Sequence, residues 1–153
     1  MLNFLVKGIK WTVIVLLILT IALAILIWSI TFHPPALQNE PVVNQNNASE
    51  LQAGQTVKVL SWNLQYMSGK NYEFWYDRLD GDGPDIRATK EDISQTFEQV
   101  AALIIDQNPD VILLQELHDD AKRTDHEDQL QRLLTMLPAE YGNYSETFYW
   151  QAG

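Results

Sequence analysis

Asn63 and Glu116 each stand where an apolar stretch gives way to polar residues, in Ser61-Trp62-Asn63-Leu64-Gln65 and Leu113-Leu114-Gln115-Glu116-Leu117. In open α/β sheets, functional groups gather at the carboxyl ends of strands, where loops begin. A carboxylate so soon after four apolar residues, with only Gln115 between, is poorly placed to reach bulk water. Glu116 is therefore expected to need a metal ion, a basic residue or several donors beside it. An Asn ending a neighbouring strand can bring an oxygen or an amide to the same place, and one carboxylate with a few amides and waters is a Mg²⁺ environment. The plainer alternative makes Asn63 a turn residue and lets Glu116 lean into solvent.

Other groups with chemical potential are weaker. His33 lies beside a long apolar segment and reads as a linker residue, while His118 and His126 flank a polar loop and are expected to be exposed. His118 alone is close enough to Glu116 to merit mutation. Asp77, Asp80, Asp82 and Asp85 alternate with glycine as calcium loops do, but without the spacing or closing Glu of an EF-hand, so a solvated acidic turn is expected. Tyr72, Phe74, Trp75 and Tyr76 crowd the preceding stretch, either packing that loop or forming a substrate or membrane-contact rim, and packing is the expectation. Lys122-Arg123 has the charge to meet phosphate, yet adjacent basic residues are usually only solvated.

The elements that must position these residues follow from periodicity. Val57 to Trp62 is rich in β-branched and aromatic residues and reads as a strand. Ile93, Phe97, Val100, Leu103 and Ile104 fall at helical spacing, with Thr89 and Asp92 forming a capping box and Asn108-Pro109 ending the helix. The uninterrupted Val111-Ile112-Leu113-Leu114 reads as a strand buried on both faces. A further helix is expected over 127–137, with Leu130, Leu133, Leu134 and Leu137 on one face, and a third strand from Tyr144 to Trp150. Strand, helix, strand and helix in order make an α/β layered domain over 56–153, either small in itself or the N-terminal part of a larger one.

Ahead of that domain, residues 11–30 are apolar except for Thr12, Thr20 and Ser29, with tryptophan near each end. Twenty residues of helix reach about 30 Å, the thickness of a bilayer's hydrocarbon core. A cleavable signal peptide would place its small-residue site after the apolar run, whereas Ala22-Leu23-Ala24 lies inside it, so a transmembrane helix through the lipid bilayer is expected. Lys7 and Lys10 precede this span and no Lys or Arg follows it until Lys58, which puts residues 1–10 in the cytoplasm and the rest outside. His33-Pro34-Pro35 closes the helix, and 31–55, rich in Asn, Gln, Ser and Pro, reads as a flexible linker. Asn47-Ala48-Ser49 and Asn143-Tyr144-Ser145 match the glycosylation pattern and carry little weight. The formal charge is −10, and of the charged residues only Lys7, Lys10, Glu40 and Glu50 precede Val57, so the exported domain is a poor match to long polyanions. With no cysteine, there is no disulfide framework.

Val57 to Gln65 resembles the opening strand of the endonuclease/exonuclease/phosphatase superfamily, and Pro109 to Leu117 resembles its second signature, an apolar strand running into Gln-Glu. Both motifs occur in order with an amphipathic helix between them. The resemblance implies a deoxyribonuclease I-like sandwich of two sheets flanked by helices, represented here by its N-terminal part. It implies a Mg²⁺-dependent phosphoric ester hydrolase, with Asn63 and Glu116 lining the active site and Glu116 holding the metal. The substrate would be a phosphodiester or phosphomonoester, and a tethered acidic domain favours lipid head groups or small phosphodiesters over nucleic acid. The family's later motifs, an Asp-x-Asn and a Ser-Asp-His type triplet, have no counterpart before Gly153. The chain thus holds half of such a site and is not expected to turn over substrate alone. The rival from another class is a non-catalytic, membrane-tethered binding module.

Overall fold

The structure is a computed structural model and describes residues 2–45, 50–74 and 86–148. The chain divides into two units, one carrying the N-terminal helix and the other running from Val42 to Tyr144.

Helix α1 (Leu2–Ile30) begins ahead of the expected Trp11, because the preceding residues, Lys7 and Lys10 among them, continue a helix without strain. Its Val6–Ile30 stretch is long and apolar enough to cross a membrane. The three hydroxyls inside it are satisfied locally. Thr12 donates to the Gly8 carbonyl at 3.1 Å, Thr20 to Leu16 at 2.9 Å and Ser29 to Leu26 at 2.8 Å. No side-chain hydroxyl there needs water, the condition that lipid imposes. At the end, Thr31 Oγ1 donates to the Ile27 carbonyl at 2.6 Å, and His33 Nε2 lies 2.7 Å from the Trp28 carbonyl, so two orphan carbonyls of the last turn find partners before Pro34.

In the second unit, β1 (Val59–Asn63) and β2 (Val111–Gln115) pair in parallel, with α2 (Lys90–Gln107) as the crossover and α3 (Gln129–Met136) following. This is a mixed α/β arrangement on a two-stranded sheet. One sheet face, carrying Leu60, Trp62, Ile112 and Leu114, packs on the apolar stripe of α2, where Phe97 and Ile104 are wholly buried, and on Leu133 of α3. Residues on the other face are exposed. Val59 is 53% exposed and Leu113 50%, so β2 is not buried on both faces as its apolar run suggested. An uninterrupted apolar run shows that a strand lacks polar residues, and whether a layer covers its second face depends on tertiary structure.

Two further expectations change. Residues 42–45 are not free linker: Val43 and Tyr144 form an antiparallel bridge, with N–H to carbonyl distances of 2.8 and 3.1 Å, and the Gln45 amide donates to Asn143 Oδ1 at 2.7 Å. The strand expected from Tyr144 reduces to that single bridge, with 145–148 irregular and the remainder outside the described residues. Asn47-Ala48-Ser49 also lies outside them.

The ends of α2 match expectation. Thr89 caps it, its hydroxyl oxygen accepting from the Asp92 amide at 3.1 Å while the Asp92 carboxylate accepts from the Thr89 amide at 3.2 Å. Asn108 ends it in the left-handed region (φ 44°), with its N–H on the Ile104 carbonyl at 2.9 Å. The same Asp92 carboxylate also accepts from the Thr89 hydroxyl at 2.8 Å and from Asn71 Nδ2 at 2.7 Å. These bonds hold its pKa below the ordinary carboxylate value, Thr89 contributing most and Asn71 next. A depressed carboxyl pKa contributes stability above the unfolded-state value and loses it as pH falls through the folded one. Asp92→Asn is therefore expected to lower the urea midpoint at pH 7, with the gap to wild type closing as pH falls below the ordinary carboxylate pKa and through the depressed folded-state value. A gap independent of pH would remove the ionised cap from this account.

Candidate active site

The parallel register sets Leu60 against Ile112, Trp62 against Leu114 and Asn63 against Gln115, so both motifs finish at the same end of the sheet. The pairing continues into the loops. The Leu64 amide donates to the Gln115 carbonyl at 3.0 Å and the Tyr66 amide to the Glu116 carbonyl at 2.8 Å. Asn63 thereby sits beside Gln115 at one strand spacing, about 4.8 Å, and Glu116 follows on the next residue of the neighbouring backbone segment.

Here the backbone leaves its ordinary range. Gln65, Tyr66 and Met67 have φ of 44°, 59° and 59°, and Glu116 has 58°. Each non-glycine residue in the left-handed region costs roughly 1–2 kcal/mol, and such residues persist only where the surroundings over-determine them. Met67 is fully buried and Leu64 nearly so, which fixes one side of the turn. Gln129, also fully buried, fixes the other: its Nε2 donates to the Tyr66 carbonyl at 2.8 Å and its Oε1 accepts from the His118 amide at 3.0 Å. Its own amide returns a bond to the His118 carbonyl at 3.0 Å. One side chain of α3 thus ties the loop after β1 to the loop after β2.

The site carboxylate is not buried. Glu116 is exposed, because β2 ends before it and the left-handed backbone breaks the strand's alternation. The expectation that it lacks water and must have a buried partner is corrected. Asn63 is exposed too, its Oδ1 accepting from the Gln65 amide at 3.0 Å in an Asx turn that keeps one lone pair and the NH₂ group available.

His118 departs from expectation in the opposite sense. It is half-buried and stacks on Tyr66 at 4.0 Å between ring centroids and 21° between planes. Its Nδ1 lies 3.2 Å from Thr124 Oγ1. Burial pushes its pKa down, Arg123 adds to that, and Glu116 opposes it. His126 is exposed as expected, paired with Asp120 at 2.8 Å. Arg123 is more than a solvated charge, since its guanidinium lies 5.6 Å from the Tyr72 ring centroid and 6.0 Å from that of Phe74. Those two rings pack together at 4.1 Å, and Phe74 is buried, as the packing expectation has it for this pair. Trp75, Tyr76 and the acidic positions Asp77, Asp80, Asp82 and Asp85 lie outside the described residues. Farther along, Arg87 grips Asp125 with both terminal nitrogens at 3.0 and 2.8 Å. That bond holds the Asp125 carboxyl below its usual range and the Arg87 guanidinium above its own.

Gln129, Thr124 and Tyr66 escaped the sequence reading. A signal existed for the first: Gln129 precedes Leu133 by one i,i+4 step and so sits, polar, on the apolar stripe of α3.

Among the described residues, no group of three or more His, Asp or Glu converges. The donor set of Asn63 and Glu116 nonetheless fits a hard divalent ion, because Mg²⁺ keeps several waters and needs only one or two protein oxygens besides substrate. No family model, curated protein or solved structure matches the chain.

Proposed function

We propose that this is a membrane-anchored, metal-dependent phosphoesterase-like domain of the endonuclease/exonuclease/phosphatase superfamily, with a deoxyribonuclease I-like fold of which these residues form the N-terminal part. The observation that supports the reading is that the two separate motifs end side by side on paired parallel strands, with Asn63 opposite Gln115 and Glu116 directly after it. The strained turns around them add support, since backbone strain of this kind collects at functional sites.

Glu116 and Asn63 would hold Mg²⁺ or a similar ion, which when bound neutralises charge on the phosphoryl oxygens. The Asn63 amide would orient the phosphate, and the Gln129 latch ties together the loops that follow the two residues. Lys7 and Lys10 ahead of the apolar span support an extracytoplasmic position for the domain under the positive-inside rule. The charge of −10 and the anchor favour phospholipid head groups or small phosphodiesters over long nucleic acid.

The test uses the reading frame continued past Gly153, in lipid nanodiscs, assayed against sphingomyelin, DNA, RNA and a small phosphodiester with and without Mg²⁺. Hydrolysis is expected only with the ion, and Glu116→Ala should lower it by about 100-fold or more while the urea midpoint stays near wild type. Full activity in Glu116→Ala would end the site assignment. Binding of a phosphoester without turnover would favour the tethered binding module.

A further inference from the structure

Three contacts dock the segment ahead of β1 onto residues 142–144. Val43 and Tyr144 exchange both backbone hydrogen bonds, at 2.8 and 3.1 Å, and the Gln45 amide donates to Asn143 Oδ1 at 2.7 Å. The Gln45 side chain lies over the buried Gly142, where an added Cβ would come within 2.6 Å of its Oε1 and 2.9 Å of its Cδ. Any side chain at that position must displace the Gln45 amide group. The surface beneath is itself fixed. Tyr144 Oη accepts from Gln131 Nε2 of α3 at 2.6 Å, and Tyr141 Oη donates to the Pro109 carbonyl, ahead of β2, at 2.9 Å. Residues 43–45 thus form a strap over 142–144, tied through them to α3 and to the entry of β2.

The strap's place in the chain gives it a use. Contacts with α1 extend as far as His33, whose Nε2 meets the Trp28 carbonyl. With the strap docked, only residues 34–41 separate His33 from the Val42–Tyr144 unit, eight residues of which three are proline. Fully extended, they span at most about 27 Å. Undocking would add the sixteen residues 42–57, giving twenty-four ahead of Lys58. That length spans at most about 80 Å. A single bridge whose Val43 is 39% exposed is the kind of contact that opens without unfolding the unit around it. We infer that residues 43–45 are a length-setting strap: docked, they hold the domain on a short tether at the bilayer, and released, they let it range about three times farther. This role presupposes α1 as the membrane anchor and takes nothing from the candidate metal site.

The chain has no cysteine, so Glu98→Cys, at an exposed position of α2, gives the full chain one dye. In nanodiscs carrying an acceptor-labelled lipid, energy transfer reports the tether and amide exchange reports the strap. Val43→Pro removes the donor to the Tyr144 carbonyl. It is expected to speed exchange of the Tyr144 amide by about tenfold or more and to lower energy transfer, while Val100 and Ile104 stay protected. Inserting sixteen Gly/Ser residues after Pro41 should lower the transfer likewise with Tyr144 still protected, and it decides the matter if Val43→Pro fails to fold. A Tyr144 amide that exchanges freely in the wild-type chain overturns the strap. Energy transfer unchanged by the insertion, or by a Val43→Pro variant that frees Tyr144, overturns its control of length. Release of the chain from vesicles by alkaline carbonate overturns the anchor, and the length-setting role with it, while leaving the Asn63 and Glu116 reading in place.

Discussion

Phe97→Ala is expected to cost about 3–5 kcal/mol, enough to leave much of the Val42–Tyr144 unit unfolded. The ring has no solvent exposure and belongs to the cluster joining the inner sheet face to α2 and Leu133 of α3. A unit of about 100 residues buries a modest share of its surface and has little stability in reserve. Truncation also removes the platform for Arg132, whose guanidinium lies 4.2 Å from the ring centroid. That contact adds about 0.5–1 kcal/mol. Arg132 in turn bonds Glu127 at 2.9 Å and Ser94 at 2.8 Å, so the bridge between α2 and the start of α3 loosens with it. Urea titration followed by tryptophan fluorescence measures the loss. A midpoint shift equivalent to less than about 1 kcal/mol would mean that this face of α2 is not the core.

Gln129→Ala is the second large effect and the more informative for the site. It strips the bonds to the Tyr66 carbonyl and the His118 amide. An orphaned group out of water costs about 1–3 kcal/mol, so for these two half-buried groups the total lies at or below about 2–6 kcal/mol. The loss is local in origin, because α2 and its caps keep every bond. Amide hydrogen exchange should therefore accelerate first at Tyr66 and His118, with Val100 and Ile104 following only through global unfolding. Unchanged protection at the His118 amide would show that the latch is not what holds the two loops together. Gln129→Glu makes a sharper control: it keeps the acceptor for His118 and loses the donor to Tyr66.

The sequence carried the local features well because their causes are local. The Thr89–Asp92 box, the Asn108 stop and the strand ending at Gln115 each depend on a handful of neighbouring residues. What escaped depends on distant partners. Val43 pairs with Tyr144 through backbone groups alone, so no side chain announces the bridge, and 42–45 read as linker. The burial of His118 depends on Tyr66 and on α3, neither adjacent to it in sequence. Glu116 was placed at the right end of the right strand, but its exposure depends on a φ of 58° that its own identity does not suggest. Leu113 faces solvent because no layer among the described residues covers that side of β2.

The left-handed turns have a consequence for anyone engineering this protein. Glycine would relieve the strain at Gln65, Tyr66 or Glu116, and a screen that rewards thermal tolerance alone would favour it there. Glycine at Tyr66 deletes the surface that supports the imidazole, and glycine at Glu116 deletes the carboxylate. The most heat-resistant variants from such a library would then be enriched in chains that lack the candidate site residues, and a second, ligand-dependent selection would be needed to keep the two properties together.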